Sequence, residues 1–226
     1  SHRALILAAM AIGQSRVDNL PGGADVASTV SALRALGVDV DAASVRSGGI
    51  KNWRPPGLPI DCGNSGSTMR MLSGALAGSR ITAELVGDAS LMRRPMRRLI
   101  PPLATLGADI EVSSDGLPPV RVAGTRLTGA AVDIPIASAQ LRTAVAFAAL
   151  NADGDTSIHS PPGFRDHTER WLAAAGRGAS IDAETFVVRP GPIAPIDVAI
   201  PGDPSSAGFL WVAAAVRPGA VVITPG

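Results

Sequence analysis

The sequence is poor in several of the residue types that common chemistries rely on. It holds one cysteine, Cys62, in 226 residues, so no internal disulfide can form and no Cys-x-x-Cys metal spacing exists. Its three histidines are scattered with no His-x-x-x-His spacing, and a metal site is not expected. Tyrosine is absent and aromatics amount to 3%, which argues against a nucleic-acid surface built from stacking rings beside clustered positive charge. Charged residues make up 17%, against about 25% in an average soluble domain. The longest unbroken apolar run, Ala4 to Ile12, has nine residues, half of the ~18 that a membrane-crossing helix needs. No charged-then-apolar leader precedes it. These absences lead to the expectation of a soluble, cytoplasmic protein with neither membrane nor nucleic acid as partner.

What is present is a chain of small apolar residues, 46% hydrophobic with 38 alanines and 25 glycines. Its length and its 22.9 kDa mass allow one generous domain with a buried core. The net charge of +1 conceals a bias, because nineteen of the twenty basic residues are arginine and only Lys51 is lysine. The planar fork of arginine suits carboxylate and phosphate, so small anions are the expected ligands.

One pattern occurs three times and begins a fourth. A polar Ser/Asn/Gly loop, usually followed by an arginine, leads into an almost wholly apolar segment that ends at a glycine. The segments run from Arg3 to Gly13, Arg70 to Gly78, Arg142 to Gly154, and finally through Phe209 to Gly219. A short β-like run follows each: SRVDNL, SRITAELV, DTSIHS and AVVITP. The first three continue into an amphipathic stretch ending near Gly37, Gly107 and Gly176, then a further β-like segment. In the first of these stretches Asp25 is placed to cap a helix carrying Val26, Val30, Leu33 and Leu36 at helical spacing. A unit of about 70 residues reading strand, helix, strand, helix, strand, strand predicts an α/β domain of three βαβαββ repeats. The apolar segments are hydrophobic all round and should be buried. Their N-termini would then gather the polar loops into a pocket for anions. The first unit opens on its helix without a leading strand, and the fourth stops after one strand, so both ends look cut from a longer protein. Pro101-Pro102 should break or kink the helix of the second unit.

Several motifs carry both a chemical and a plain structural meaning. Asp61-Cys-Gly-Asn-Ser-Gly-Ser-Thr-Met-Arg70 lets backbone N–H groups approach an anion closely, or is simply a helix cap with turn glycines. Arg93, Arg94, Arg97 and Arg98 set like charges four apart at an expected helix start, where acids are normally preferred. Ser138-Ala-Gln140 could meet a substrate or merely cap a helix. Asp166-His167-Thr-Glu169 has the spacing of an acid/base pair and of a capping box, and the box is the favoured reading. Cys62 reads as a small buried residue.

Taken together, SHRALILAAMA, DCGNSGSTMRMLSGALAG, GDASLMRRPM, SAQLRTAVAFAALNA, RDHTERWL and PGDPSSAGF closely resemble the 5-enolpyruvylshikimate-3-phosphate synthase family, in order from Ser1 to Gly226. The resemblance implies two domains of three βαβαββ units with the active site between them. Residues 1–200 would be one such domain and 201–226 the crossover and truncated start of the second. It implies enolpyruvyl transfer from phosphoenolpyruvate to the 5-hydroxyl of shikimate 3-phosphate, with phosphate released by addition and elimination, no metal or organic cofactor, and competition by glyphosate. By motif, Arg3 would contact the shikimate part, and Ser138 and Gln140 its phosphate and ring. Gly66 and Arg94 would hold phosphoenolpyruvate, with Gln140 touching it, Asn64 in the same loop and Arg70 toward the hinge. The family's Pro-Gly-Ser-Lys-Ser run would fall just before Ser1. Phe164 stands where a phosphate-contacting Ser or Thr is common. The catalytic Asp and Lys belong to the other half, so no catalytic residue is expected here and the chain alone should be inactive without that missing C-terminal half as partner. The related UDP-N-acetylglucosamine enolpyruvyl transferases are the alternative, but their characteristic cysteine is replaced by Ala89. A non-catalytic anion-binding domain is a reading of a different class.

Overall fold

The computed structural model describes residues 1–223. The first unit comprises α1 (His2–Met10), β1 (Ile12–Asp18), α2 (Ala24–Ala35), β2 (Asp39–Asp41) and β3 (Ser44–Gly48). The second follows with β4 (Ile60–Asp61), α3 (Gly66–Ala77), β5 (Thr82–Val86), α4 (Ile100–Ala104), β6 (Asp109–Glu111) and β7 (Val120–Ala123). The third holds β8 (Leu127–Thr128), β9 (Ala131–Asp133), α5 (Ala139–Ala149), β10 (Ala152–Asp153), β11 (Thr156–His159), α6 (His167–Ala174), β12 (Gly178–Ser180) and β13 (Thr185–Val188). β14 (Asp197–Ala199) and α7 (Pro204–Ala215) come last. The α/β architecture of three repeated units around buried helices is the one the sequence pattern predicts.

The repeat is visible in the strand order. The second unit's sheet runs β4-β5-β7-β6 and the third's β9-β11-β13-β12. In both, the leading strand is parallel to its neighbour and the other pairs are antiparallel. The first unit's sheet has the same order with a substitute in the leading place, β14-β1-β3-β2. β14 pairs in parallel with β1, Val17 against Val198. The strand missing from the start of the first unit is therefore supplied by residues near the other end, which sequence reading did not anticipate.

α1, α3 and α5 form the core because their apolar residues cover the whole circumference. Ala4 to Met10 on α1, Met71 to Ala77 on α3 and Leu141 to Ala149 on α5 are buried. Leu5, Leu7, Leu72, Leu76 and Phe147 have at most 1% of their surface exposed, each such side chain contributing roughly 1.5–3 kcal/mol. Small residues let the helices come close, and the Gly74 backbone sits directly against Ala144. The second helix of each unit ends in one recurring way. Gly37, Gly107 and Gly176 adopt φ of 82°, 86° and 67°, where glycine lacks the steric penalty of a side chain. The next residue donates back to a leucine carbonyl: Val38 to Leu33 and Ala108 to Leu103 at 3.1 Å, Arg177 to Leu172 at 2.7 Å, the Schellman closure.

Several local expectations are corrected. Asp25 does not cap α2. The cap position is Gly23, and Asp25 accepts from Val26 N–H and faces His2. Pro101-Pro102 opens α4 instead of breaking a helix, since both prolines lie in its first turn, where backbone donors have no intrahelical partner to lose. The arginine cluster starts a helix only with its second pair: Leu91–Arg93 is a separate 3-10 turn, Arg94 is extended, and Arg97–Leu99 is a 3-10 turn that runs directly into α4. The fourth apolar segment does form α7, yet it is not buried, with Phe209 81%, Val212 65% and Val216 77% exposed. Of the run AVVITP, residues 220–223 form no strand, and Thr224 and Pro225 lie outside the described residues.

Candidate anion site at the helix N-termini

The three core helices point their N-termini to the same end. Ser65 caps α3 by accepting the Thr68 N–H, and Ser138 caps α5 by accepting that of Leu141. The cap reading of both loops is thus correct. The next turns carry polar side chains that would be out of place in a core.

Asn64, Gly66, Arg94 and Gln140 fall together in one patch. Asn64 donates from Nδ2 to both carboxylate oxygens of Asp88, at 3.1 and 2.8 Å, and accepts from Arg94 Nη2 through Oδ1. The N–H of Leu91, then the Asn64 amide and the N–H of Ser90, hold Asp88 below its ordinary carboxylate pKa. Gln140 joins α5 to α3, accepting from Arg70 Nη1 at 2.8 Å and donating to Ser67 Oγ at 2.8 Å. A Cβ added at Gly66 would stand 2.9 Å from Arg70 Nη1 and 3.4 Å from Arg94 Nη1, so two guanidinium groups face that glycine. Burial, with Arg98 and Arg94 beside it, pushes the Arg70 guanidinium below its usual pKa. Arg70 Nε is buried with no hydrogen-bond partner among the described residues. Like charges gathered around an unfilled donor are stabilised by an anion arriving among them.

Arg3 meets α5 about one turn beyond Gln140. Its Nε donates to Thr143 Oγ1 at 3.0 Å, and Thr143 Oγ1 is 2.7 Å from Thr168 Oγ1. Burial lowers the Arg3 pKa, with the Glu169 charge opposing the shift and Arg165 adding to it. α5 thus bridges the two groups, Gln140 facing the second unit and Thr143 the first. Ser138 occupies the cap immediately ahead of both. Ser67, Asp88, Thr143 and Thr168 escaped sequence reading, since Ser67 and Thr143 gain their meaning from partners in another unit, Gln140 and Arg3, and Asp88 and Thr168 from partners more than twenty positions away in their own. For Arg70 the repeated arginine at the head of each apolar segment was a usable signal.

The third such arginine plays another part. Arg142 is 3% exposed and donates from Nε to Glu169 Oε1 at 2.8 Å, and from Nη1 to Ser160 Oγ and the Glu184 carbonyl at 2.8 and 2.9 Å. The Phe164 ring lies over it, 4.2 Å from the guanidinium carbon. The capping-box expectation for residues 166–169 is consequently wrong. Asp166 makes no side-chain cap bond and accepts from Arg170 instead, while Glu169 turns inward to Arg142. Cys62 is fully buried, and burial pushes its thiol up to about 12, an inert state.

A cleft of about 1030 Å³ opens at the opposite end, around Met10, Gly78 and Leu150 at the helix C-termini. None of the candidate residues lines it. Among the described residues no three His, Cys, Asp or Glu side chains gather into a metal-holding group, and no helix is long and apolar enough to cross a membrane.

Burial lowers the pKa of His2, against the pull of Asp25, and that of His167, with Arg3 adding. Unfolding frees both to bind protons near the ordinary histidine value of about 6.5, so the unfolded chain binds more protons there than the native one. Stability is expected to fall as the pH drops through that value and to level off below the depressed native values. Urea midpoints between about pH 7.5 and 5.5 measure this. A midpoint that rises on acidification would contradict it.

Comparison with known proteins identifies the family. A family profile described as EPSP synthase (3-phosphoshikimate 1-carboxyvinyltransferase) matches residues 1–225. The 3-phosphoshikimate 1-carboxyvinyltransferase of Chloroflexus aurantiacus is 42% identical over 100% of this chain and 54% of its own length. That of Xanthomonas campestris pv. campestris is 44% identical over 98% and 52%. The solved EPSP synthase of Acinetobacter baumannii superposes with a TM-score of 0.86 at 35% identity, covering 95% of this chain and 50% of that one. The enolpyruvyl transferase NikO from Streptomyces tendae shares the fold, with a TM-score of 0.70 at 18% identity over 95% of this chain and 52% of its own. The chain spans about half the length of the curated relatives it matches. The alternative raised by the sequence, the UDP-N-acetylglucosamine enzymes, is not favoured, and the chain belongs to the EPSP synthase family.

Proposed function

We propose that this chain is the half of an enolpyruvyl transferase that binds phosphoenolpyruvate and shikimate 3-phosphate, in the synthesis of aromatic amino acids in the cytoplasm. Residues 1–200 are the transferase domain and 201–226 the crossover toward a second domain. The observation that carries the reading is the meeting of Arg70, Arg94 and Gly66 beside Gln140 at the N-termini of buried helices.

In this reading Arg94 holds the phosphoenolpyruvate anion while the bare backbone of Gly66 lets it approach, and Asn64 fixes the Arg94 fork. Gln140 lies between the two substrates. Arg3 and Ser138 hold shikimate 3-phosphate, so that its 5-hydroxyl meets the enol carbon. Holding two anions against fixed cations converts a bimolecular encounter into a positioned one, and the helix dipoles stabilise the charge that develops. The proton transfers fall to groups of the complementary half. No catalytic residue is assigned to this chain, and the reaction needs no metal or organic cofactor.

The test is phosphate release from the two substrates. The chain alone is expected to show none, because a positioned acid or base is commonly worth ~10²–10⁴ in rate, and adding a separately produced C-terminal half is expected to restore turnover. Turnover by the chain alone would refute the assignment.

In that reconstituted enzyme Gly66→Ala is expected to weaken phosphoenolpyruvate about tenfold and glyphosate, which is longer, by more. The added methyl must push aside the Arg70 fork that Gln140 holds, at 2.9 Å, and takes up the space beside Arg94 at 3.4 Å, an overpacking cost of about 1–3 kcal/mol. Inhibition and KM measurements decide it. Equal effects on both ligands, or none, would remove Gly66 from the site.

A further inference from the structure

A buried chain of side-chain hydrogen bonds reaches the anion loop from behind. It starts at Asp25, whose Oδ2 lies 3.1 Å from His2 Nε2. His2 Nδ1 lies 2.7 Å from Thr29 Oγ1, and Thr29 Oγ1 lies 2.7 Å from Thr68 Oγ1. The Thr68 hydroxyl donates to Ser65 Oγ at 2.7 Å, and Ser65 Oγ also accepts the Thr68 backbone N–H at 3.1 Å. Ser65 is the residue before Gly66. Thr29 and Thr68 are fully buried, Ser65 is 3% exposed and the His2 side chain 16%.

Valine would fill both threonine positions without an exposed cost, whereas a buried hydroxyl that loses its partner is penalised. The chain is also directional. Each hydroxyl carries one proton, so with Thr68 donating to Ser65, Thr29 donates to Thr68 and His2 donates to Thr29 from Nδ1, the Asp25 carbonyl at 3.3 Å being a second acceptor for the Thr29 proton. His2 is the member that faces a carboxylate with one ring nitrogen and the hydroxyls with the other, and the single N–H of the neutral ring sits, in this direction, on Nδ1. The charged groups facing its ring are Asp25 on α2 and Arg3 on its own element. The corresponding cap of α5 shows the contrast: Ser138 Oγ meets the Leu141 N–H at 3.4 Å, longer than the Ser65 cap.

We propose that His2 is a positioning residue for the loop ahead of α3, acting through Thr29, Thr68 and Ser65 to fix the backbone at Gly66. The consequence for ligand binding rests on the function proposed above. The hydrogen-bond chain itself is tested without it.

Amide hydrogen exchange is measured at Thr68, with Leu141 as the control cap, in His2→Leu, His2→Asn, Thr29→Val and the His2→Leu/Thr29→Val double variant. His2→Leu and Thr29→Val are each expected to speed exchange at Thr68 about tenfold, the value of one lost buried hydrogen bond, and to leave Leu141 unmoved. Asparagine offers a donor or an acceptor near the Nδ1 position, so His2→Asn should stay near wild type. The double variant should exchange no faster than either single one, because both cut the same chain. An unchanged Thr68 in both single variants, equal rises at Thr68 and Leu141, additive effects, or asparagine as damaging as leucine would each overturn the proposal. A phosphoenolpyruvate titration of the same proteins separates the two ideas. Failure of the wild type to bind would count against the proposed function while exchange still decides the hydrogen-bond chain. Wild-type binding that His2→Leu leaves unchanged would overturn the positioning role.

Discussion

Arg142→Ala is expected to destabilise the chain by about 3–5 kcal/mol, the cost of breaking a buried ion pair from one side. The guanidinium is 3% exposed and the Glu169 side chain 10%, so removing the cation leaves a carboxylate facing apolar helix packing with little water to replace its partner. The Ser160 hydroxyl and the Glu184 carbonyl lose their donor at the same time. Phe164 loses the cation beneath its ring. Replacing both partners by apolar residues of similar size, Arg142→Met with Glu169→Leu, is expected to recover most of the loss, because no charge is then stranded. Urea unfolding followed by Trp53 and Trp171 fluorescence measures all three proteins. A single-variant loss below about 1 kcal/mol would place this pair with the weak surface bridges. The same contact accounts for the unusual Phe164: its ring covers a structural arginine.

Gly74→Ala is expected to cost about 3 kcal/mol, the upper part of the range for overpacking a core. On an isolated helix the change would stabilise by about 1 kcal/mol, since alanine is the better helix former. Here the new methyl would lie 2.0 Å from the Ala144 carbonyl oxygen and 2.6 Å from its Cα. Those are backbone atoms of a buried helix, so α3 and α5 must move apart along their whole crossing. Gly57→Ala is the control, with nothing within 4 Å of its added Cβ. A stabilised Gly74→Ala protein would mean that the crossing can relax at no cost.

Local signals were legible in the sequence and distant pairings were not. Apolar runs with no polar face located α1, α3 and α5, and glycines at a fixed offset located the ends of α2, α4 and α6, because each depends on residues within one or two turns. The loops around Asn64 and Ser138 were likewise visible as glycine, asparagine and hydroxyl residues before an apolar run. What could not be read was choice of partner. Glu169 has the spacing of a capping box, and only a residue 27 positions earlier, Arg142, draws it inward. Gln140 meets Arg70 across 70 residues. β14 is three residues long, too short for any periodicity to show, and its place beside β1 is set by an open sheet edge.

That edge also orders the birth of the domain. β1 and β14 are 181 residues apart where Arg16 meets Asp197, and ribosomes add about 5–20 residues per second. For about 10–35 s the first sheet stands with one edge unpaired, while the second and third units, whose strands are close in sequence, can close as they emerge. The first of the three units is therefore the last to be completed, and an exposed strand edge with a partner still in the ribosome is where a nascent-chain chaperone would be needed.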